Sequence, residues 1–205
     1  MNESAKLQRR AERQNRREDV LNAAIEVFAQ KGSNLATIAD VAKRARVALG
    51  TVYLYFNSKD DLLQKCMSEV IVSEITQIIE LTSSIMDPME RLYAFFTHHI
   101  ELVESKPFIA RFISVELRQS ELFNRRNPGY NPIQLYLDFV IEQTTNAIVS
   151  GRIKHIDPQA FAMLLVGAMD IIIWQWLASS IPLDLHQISS QIRSILQVGV
   201  APIPA

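Results

Sequence analysis

With 205 residues, 48% of them hydrophobic, the chain can bury a proper core as one large or two small domains. Its single cysteine, Cys66, excludes an intrachain disulfide and points to a reducing cytoplasm, while only six glycines and few alternating apolar runs predict an all-α fold. The net charge of −1 argues against nucleic acid until it is divided: residues 1 to 65 carry twelve Lys or Arg against eight Asp or Glu, net +4, and the remainder nets −5, as for a basic head on an acidic body.

In chain order, Arg9, Arg10, Arg13, Arg16 and Arg17 come first, among polar residues with no apolar run behind them. This excludes a signal peptide and predicts a flexible basic arm, either a solubilising tail or one that tracks phosphates or the minor groove. A first helix is expected from about Arg17 to Lys31, with Leu21, Ala24, Ile25 and Phe28 on its core face and Gly32 as its stop.

From Thr37 to Leu63 the pattern tightens. Thr37 and Asp40 make a capping pair, and Ile38, Val41, Ala42 and Ala45 fall at helical spacing behind it, giving a helix of about two turns. Arg46, Val47 and Ala48 form a turn, and Gly50 to Phe56 a second helix too short to hold without tertiary packing. Val52 and Phe56, four apart, face the core. The hydroxyls of Thr51, Tyr53 and Tyr55 then aim elsewhere, suited to phosphate oxygens and base edges. Ser58 with Asp61 caps a third helix, whose positive end also carries Asp60. Two short helices around a tight turn, the second aromatic and polar, outline a DNA-reading helix-turn-helix.

The third of these helices is expected to run long, from about Ser58 to Ser83, linking head to body through Leu62, Leu63, Met67, Ile71, Ile75 and Ile78. Asp87-Pro88 opens the next, Pro107 separates it from one ending near Arg126, and Asn127 to Pro132 reads as a loop. A helix from about Ile133 to Ser150 ends at Gly151, Asp157-Pro158 starts a very apolar one reaching about Ser179, and a last amphipathic one covers about Asp184 to Val198. The expectation is therefore about nine helices: an arm and helix-turn-helix head over residues 1–62, and a six-helix effector-binding and dimerisation body over 63–205.

Ala160 to Ala178 approaches the length of a bilayer span, yet Asp170 lies near its middle, Gln175 follows, and basic flanks are missing. A buried helix of a soluble protein is the expectation, and its apolar circumference asks for two covering surfaces, its own core and a partner. The last helix makes the same demand, since Leu185, Ile188, Ile192, Ile195 and Leu196 form a stripe that would leave a large patch on a monomer. Asp170 reads as a hydrogen-bonded core carboxylate or as a ligand-site group.

Thr37, Ile38-Ala39, Ala45-Arg46-Val47, Gly50-Thr51-Val52-Tyr53-Leu54-Tyr55-Phe56 and Lys59 resemble the signature of the tetracycline-repressor (TetR) family of bacterial one-component regulators. The likeness covers roughly the first third of the chain. It departs at Arg46, where the family's turn carries glycine, so a residue with a Cβ stands where φ > 0 is wanted. The resemblance implies a homodimer paired through its final two helices and a pseudo-palindromic double-stranded DNA operator, read in successive major grooves. The candidate DNA-binding residues are Thr37, Arg46, Ala48, Leu49, Gly50, Thr51, Tyr53, Leu54, Tyr55 and Lys59, with Leu49, Gly50 and Thr51 nearest the bases. The candidate dimer interface is Phe161, Leu165, Trp176, Ile188, Ile192, Ile195 and Leu196.

The body's aromatic residues come from four consecutive helices and suit either a filled core or an apolar effector tunnel. The run Val115-Glu116-Leu117-Arg118-Gln119-Ser120, with Ser150-Gly151-Arg152-Ile153, resembles the branch that represses fatty-acid degradation and is released by long-chain acyl-coenzyme A (acyl-CoA). The chemistry fits that ligand class, with candidate effector residues Phe96, Arg111, Phe112, Val115, Arg118, Tyr136, Phe139, Met169 and Trp174, where Arg118 pairs either with ligand phosphates or with a body carboxylate such as Asp170 or Glu116. Two other readings stay open: a regulator of an efflux or stress gene answering another hydrophobic ligand, and a soluble acyl-group binding protein with no DNA role. Catalysis is not expected. His98 and His99 diverge on a helix, no phosphate-binding glycine loop is present, and neither a metal site nor a cofactor is implied.

Overall fold

The computed structural model describes residues 3–119, 133–178 and 183–201. The described elements are α1 (Glu3–Leu35), α2 (Ile38–Ala45), α3 (Leu49–Tyr53), α4 (Lys59–Lys65) continuing through a π-helical stretch (Cys66–Ile71) into α5 (Val72–Leu81), α6 (Pro88–Ser105), α7 (Pro107–Gln119), α8 (Gln134–Val149), α9 (Pro158–Ala178) and α10 (Leu185–Gly199). They divide into two compact units. Met1–Ile71 with Arg111–Tyr130 makes the first and Val72–Ala110 with Asn131–Ala205 the second, so α7 contributes residues to both. The loop expected at Asn127 to Pro132 lies outside the described residues.

In the first unit, α1 buries Val20, Leu21, Ala24, Ile25 and Phe28, each large side chain stabilising by about 1.5–3 kcal/mol. Gly32 stops the regular helix at φ 71, ψ 152, a backbone conformation that a Cβ would oppose. The amino-terminal expectation is corrected: Glu3 to Arg16 continues the helix rather than forming a flexible arm. Several side chains hold it. Gln14 Nε2 donates to Glu18 at 2.8 Å, both terminal nitrogens of Arg17 donate to Glu69 at 2.7 Å, and the Arg17 and Arg13 guanidinium groups lie over the rings of Phe56 and Tyr55 at 5.3 and 5.8 Å. Cys66 is core: its Sγ sits 3.8 Å from the Leu21 carbonyl, and burial pushes the thiol's pKa up.

The second unit is opened by strong caps. Asp87 accepts from the amides of Met89 and Glu90 at the start of α6, Asp157 from those of Gln159 and Ala160 at α9, and Asp184 from that of Gln187 at α10. Gly151, at φ 69, follows the end of α8. The apolar α9 is long and apolar enough to cross a membrane by length and composition, but it packs one side inward through Phe161, Ala162, Leu165, Met169 and Ile173. Met163, Leu164, Ile171 and Trp174 are exposed, so the described residues cover only part of this helix. Asp170 is half-buried on it.

Candidate functional site

The helix-turn-helix is built by local chemistry. Thr37 Oγ1 accepts from the Asp40 amide at 3.1 Å while the Asp40 carboxylate accepts from the Thr37 amide at 3.0 Å, closing a capping box at α2. Lys31, 2.7 Å away, and these Thr37 bonds hold the Asp40 carboxyl at about 2, below the usual carboxylate range. At the other end of α2, Arg46 is left-handed at φ 56, ψ 40. This conformation lets its own amide and that of Val47 reach back to the last carbonyls, Val47 to Ala42 at 3.0 Å. Glycine serves there without steric cost, and an L-residue gives up about 1–2 kcal/mol.

The second helix is shorter than its sequence pattern: α3 ends at Tyr53, and Leu54 and Tyr55 lie in the turn beyond it. Val52 and Phe56 are fully buried, which anchors five residues that could not stay helical alone. The opposite face is open. Ala48, Leu49 and Gly50 are exposed, Tyr53 and Leu54 are 53% and 70% exposed, and Thr51 and Tyr55 are half-buried. Thr37 and Arg46 are exposed as well.

Lys59, half-buried, has a second task that the sequence did not disclose. Its Nζ donates to the carbonyls of Ser33 at 2.7 Å, Ala36 at 3.1 Å and Asn34 at 3.5 Å, tying α4 to the end of α1. The same turn is gripped from α7. Glu116, 3% exposed, accepts from the Ser33 amide at 2.9 Å and from its hydroxyl at 2.8 Å; burial raises the carboxyl's pKa while the Ser33 bonds oppose the rise. No local pattern announces a bond between residues 83 positions apart. Among the basic residues, Arg44 pairs with Glu26, whereas Lys43 is exposed on α2.

The expected effector residues are distributed over both units. Phe112 stacks on Phe28 at 6.1 Å in the first, with Arg111 exposed and Val115 half-buried there; the side chain of Arg118 lies outside what is described. In the second unit Phe95 is the hub of a cluster, 4.5 Å from Phe139, 5.0 Å from Tyr136 and 5.8 Å from Phe96, with Phe96 itself 6.0 Å from Tyr136. Met169 is buried and Trp174 is 43% exposed. His99 joins the cluster at 5.4 Å from Tyr136. The Tyr136 hydroxyl and His99 Nδ1 are buried without a hydrogen-bond partner, and burial raises the phenol's pKa and lowers the imidazole's to about 4. The apolar stripe Leu92, Phe95, Phe96, His99, Ile100 and Val103 would have placed His99 against the core from sequence.

Of the expected interface residues, Phe161 and Leu165 are buried on the inward side of α9. Trp176, Ile188, Ile192 and Leu196 are half-buried and Ile195 is 70% exposed. A cavity of about 170 Å³ lies among α6, α9 and α10, lined by Phe96, Leu165, Met169, Ile192, Arg193 and Leu196 among others. Arg193 there donates to both oxygens of Glu90 at 2.8 and 2.7 Å and stacks over Tyr93 at 4.5 Å. Among the described residues no group of His, Cys, Asp or Glu could hold a metal ion.

Comparison with known proteins places this geometry. The family model described as "Bacterial regulatory proteins, tetR family" matches residues 20–66, and that described as "YsiA-like protein, C-terminal region" matches residues 63–199. The fatty acid metabolism regulator protein of Bacillus subtilis (strain 168) is 29% identical over 182 residues, 88% of this chain and 93% of its own. The crystal structure of transcriptional regulator FadR from Bacillus subtilis in complex with stearoyl-CoA aligns with a TM-score of 0.80 at 28% identity, covering 89% of this chain and 98% of that one. FadR from Bacillus halodurans, a fatty acid degradation regulator, aligns with a TM-score of 0.79 at 26% identity over the same shares.

Proposed function

Because the chain belongs to the tetR family of bacterial regulatory proteins, we propose that it is a repressor which holds a pseudo-palindromic operator as a homodimer and lets go when a long-chain acyl-CoA binds. The observation that carries the DNA half is the exposed α3 and following turn, with Leu49, Tyr53 and Leu54 outward on a scaffold of buried Val52 and Phe56. Leu49, Gly50 and Thr51 approach base edges, and Thr37, Arg46, Tyr53 and Tyr55 contact backbone phosphates, joined by whatever part of Lys59 its carbonyl bonds leave accessible. Functionally, residues 1–62 read DNA and 63–205 bind effector and pair the subunits.

For the effector, the support is the aromatic cluster of α6 and α8 with two orphaned buried polar atoms, and the stearoyl-CoA bound by a relative of similar fold. An acyl chain suits the rings, and a carbonyl of the ligand would satisfy the Tyr136 hydroxyl. The exposed side of α9 and Ile195 of α10 form the pairing surface. Binding can release DNA only if the effector favours one arrangement of the heads over another. The unbroken helical path from Lys59 to Leu81, with its π-helical stretch, is the covalent route for that bias. The protein acts in the bacterial cytoplasm, where operator and acyl-CoA meet, and performs no catalysis.

The test is fluorescence anisotropy with a duplex taken from upstream of the protein's own gene. Tight, salt-dependent binding that a long-chain acyl-CoA weakens at least tenfold supports the proposal. Binding no tighter than to a random duplex removes the DNA role and leaves an acyl-group carrier; binding that acyl-CoA leaves untouched removes this effector.

A further inference from the structure

A second cavity lies in the second unit, away from α10. It measures about 310 Å³ and is lined by Ser83 after α5, Pro88 and Arg91 of α6, and Gln143, Asn146 and Ser150 at the end of α8, among others. Gln143 is only 2% exposed, yet its Nε2 has no hydrogen-bond partner, and the buried Nε of Arg91 has none either. Both orphaned atoms are N–H donors, and burying a donor without an acceptor is destabilising. Among the described residues no carboxylate lines the cavity. The neighbouring Asp87 is already engaged, by Arg152 at 2.6 Å and by the amides of Met89 and Glu90.

We propose that this cavity is an oxyanion site, in which the Arg91 guanidinium and the Gln143 amide donate to a phosphate or carboxylate group. Two donors, one fully charged, with no competing anion among the lining residues, select an acceptor that is itself negative. The volume exceeds the roughly 30 Å³ share of one water molecule, so a single trapped water does not fill it. Arg91 also lies over the Phe139 ring at 5.4 Å, and Phe139 is 4.5 Å from Phe95. An anion seated on Arg91 is thereby one ring away from the aromatic cluster, which suits a ligand with an anionic part and an apolar part. The site does not rest on the acyl-CoA reading: the phosphates of coenzyme A and free inorganic phosphate present the same chemistry.

Isothermal titration of the full chain with inorganic phosphate and, separately, with coenzyme A lacking any acyl group tests the assignment. At least one should bind saturably at one site per chain, and Arg91→Gln and Gln143→Leu should each weaken it on the order of tenfold or more. Phosphate binding identifies a free anion as the occupant, and binding of coenzyme A alone identifies its phosphates. Hydrogen exchange on the unaltered protein needs no variant: the bound ligand should protect amides in residues 83–91 and 143–150. No saturable binding by either ligand, affinity indifferent to both substitutions, or protection confined to the head would overturn the proposal. Acyl-CoA release of DNA is measured independently, so loss of one reading leaves the other standing.

Discussion

Arg46→Gly should separate strain from DNA contact at a single position. Arg46 is left-handed at φ 56, ψ 40, which costs an L-residue about 1–2 kcal/mol. Glycine adopts that backbone freely and keeps the bonds from residues 46 and 47 to the last carbonyls of α2, since these are main-chain groups. Its greater freedom in the unfolded chain returns part of the gain, leaving a net stabilisation of about 1 kcal/mol. For a chain of this size that raises the unfolding midpoint by about 2–4 °C, readable by calorimetry. If the exposed guanidinium also contacts a phosphate, the same substitution weakens operator binding and lowers the slope of log K against log salt by about one. Greater stability with weaker, less salt-sensitive binding is the expected pair. An unchanged or lower midpoint would refute the strain argument, and an unchanged slope would refute the phosphate contact.

Three further outcomes follow from the same geometry. Glu116→Ala leaves the Ser33 amide and hydroxyl without their acceptor and should cost about 1–3 kcal/mol in urea denaturation, whereas Glu116→Gln should retain part of it. His99, lowered to about 4, stays neutral in the fold while the unfolded chain takes up its proton near 6.5. Stability should therefore fall as pH drops from about 6.5 to 4, by up to about 3 kcal/mol, and His99→Phe should flatten that acid slope. Ile195→Lys places a charge on the exposed face of α10 and should shift sedimentation toward the monomer with the subunit still folded; an intact dimer would move the interface elsewhere.

What the sequence made legible was what depends on neighbours along the chain. Thr37 and Asp40, Asp87-Pro88, Asp157-Pro158 and the stops at Gly32 and Gly151 mark helix ends because a cap or a positive φ needs only a few adjacent residues. The amino-terminal helix escaped because Glu3 to Arg16 has no apolar face; Arg13 and Arg17 hold it to Tyr55, Phe56 and Glu69, some forty to fifty residues away. Helical period predicts a stripe on α9 but not which of its apolar sides is covered: Phe161 and Leu165 are buried while Trp174 is exposed, on a helix apolar all round. The grip of Glu116 and Lys59 on the turn after α1 is likewise a tertiary fact.

The central claim is that an effector in the body alters the separation of two paired DNA-reading heads. A spin label introduced by Gln30→Cys, exposed on α1, reports it directly by electron–electron double resonance across the dimer. On operator DNA the distribution should be single and narrow, as two helices set one helical turn of duplex apart require, and long-chain acyl-CoA should move it by several ångströms while the dimer persists. A distribution identical with and without acyl-CoA, in protein that nevertheless leaves the operator, would contradict the account.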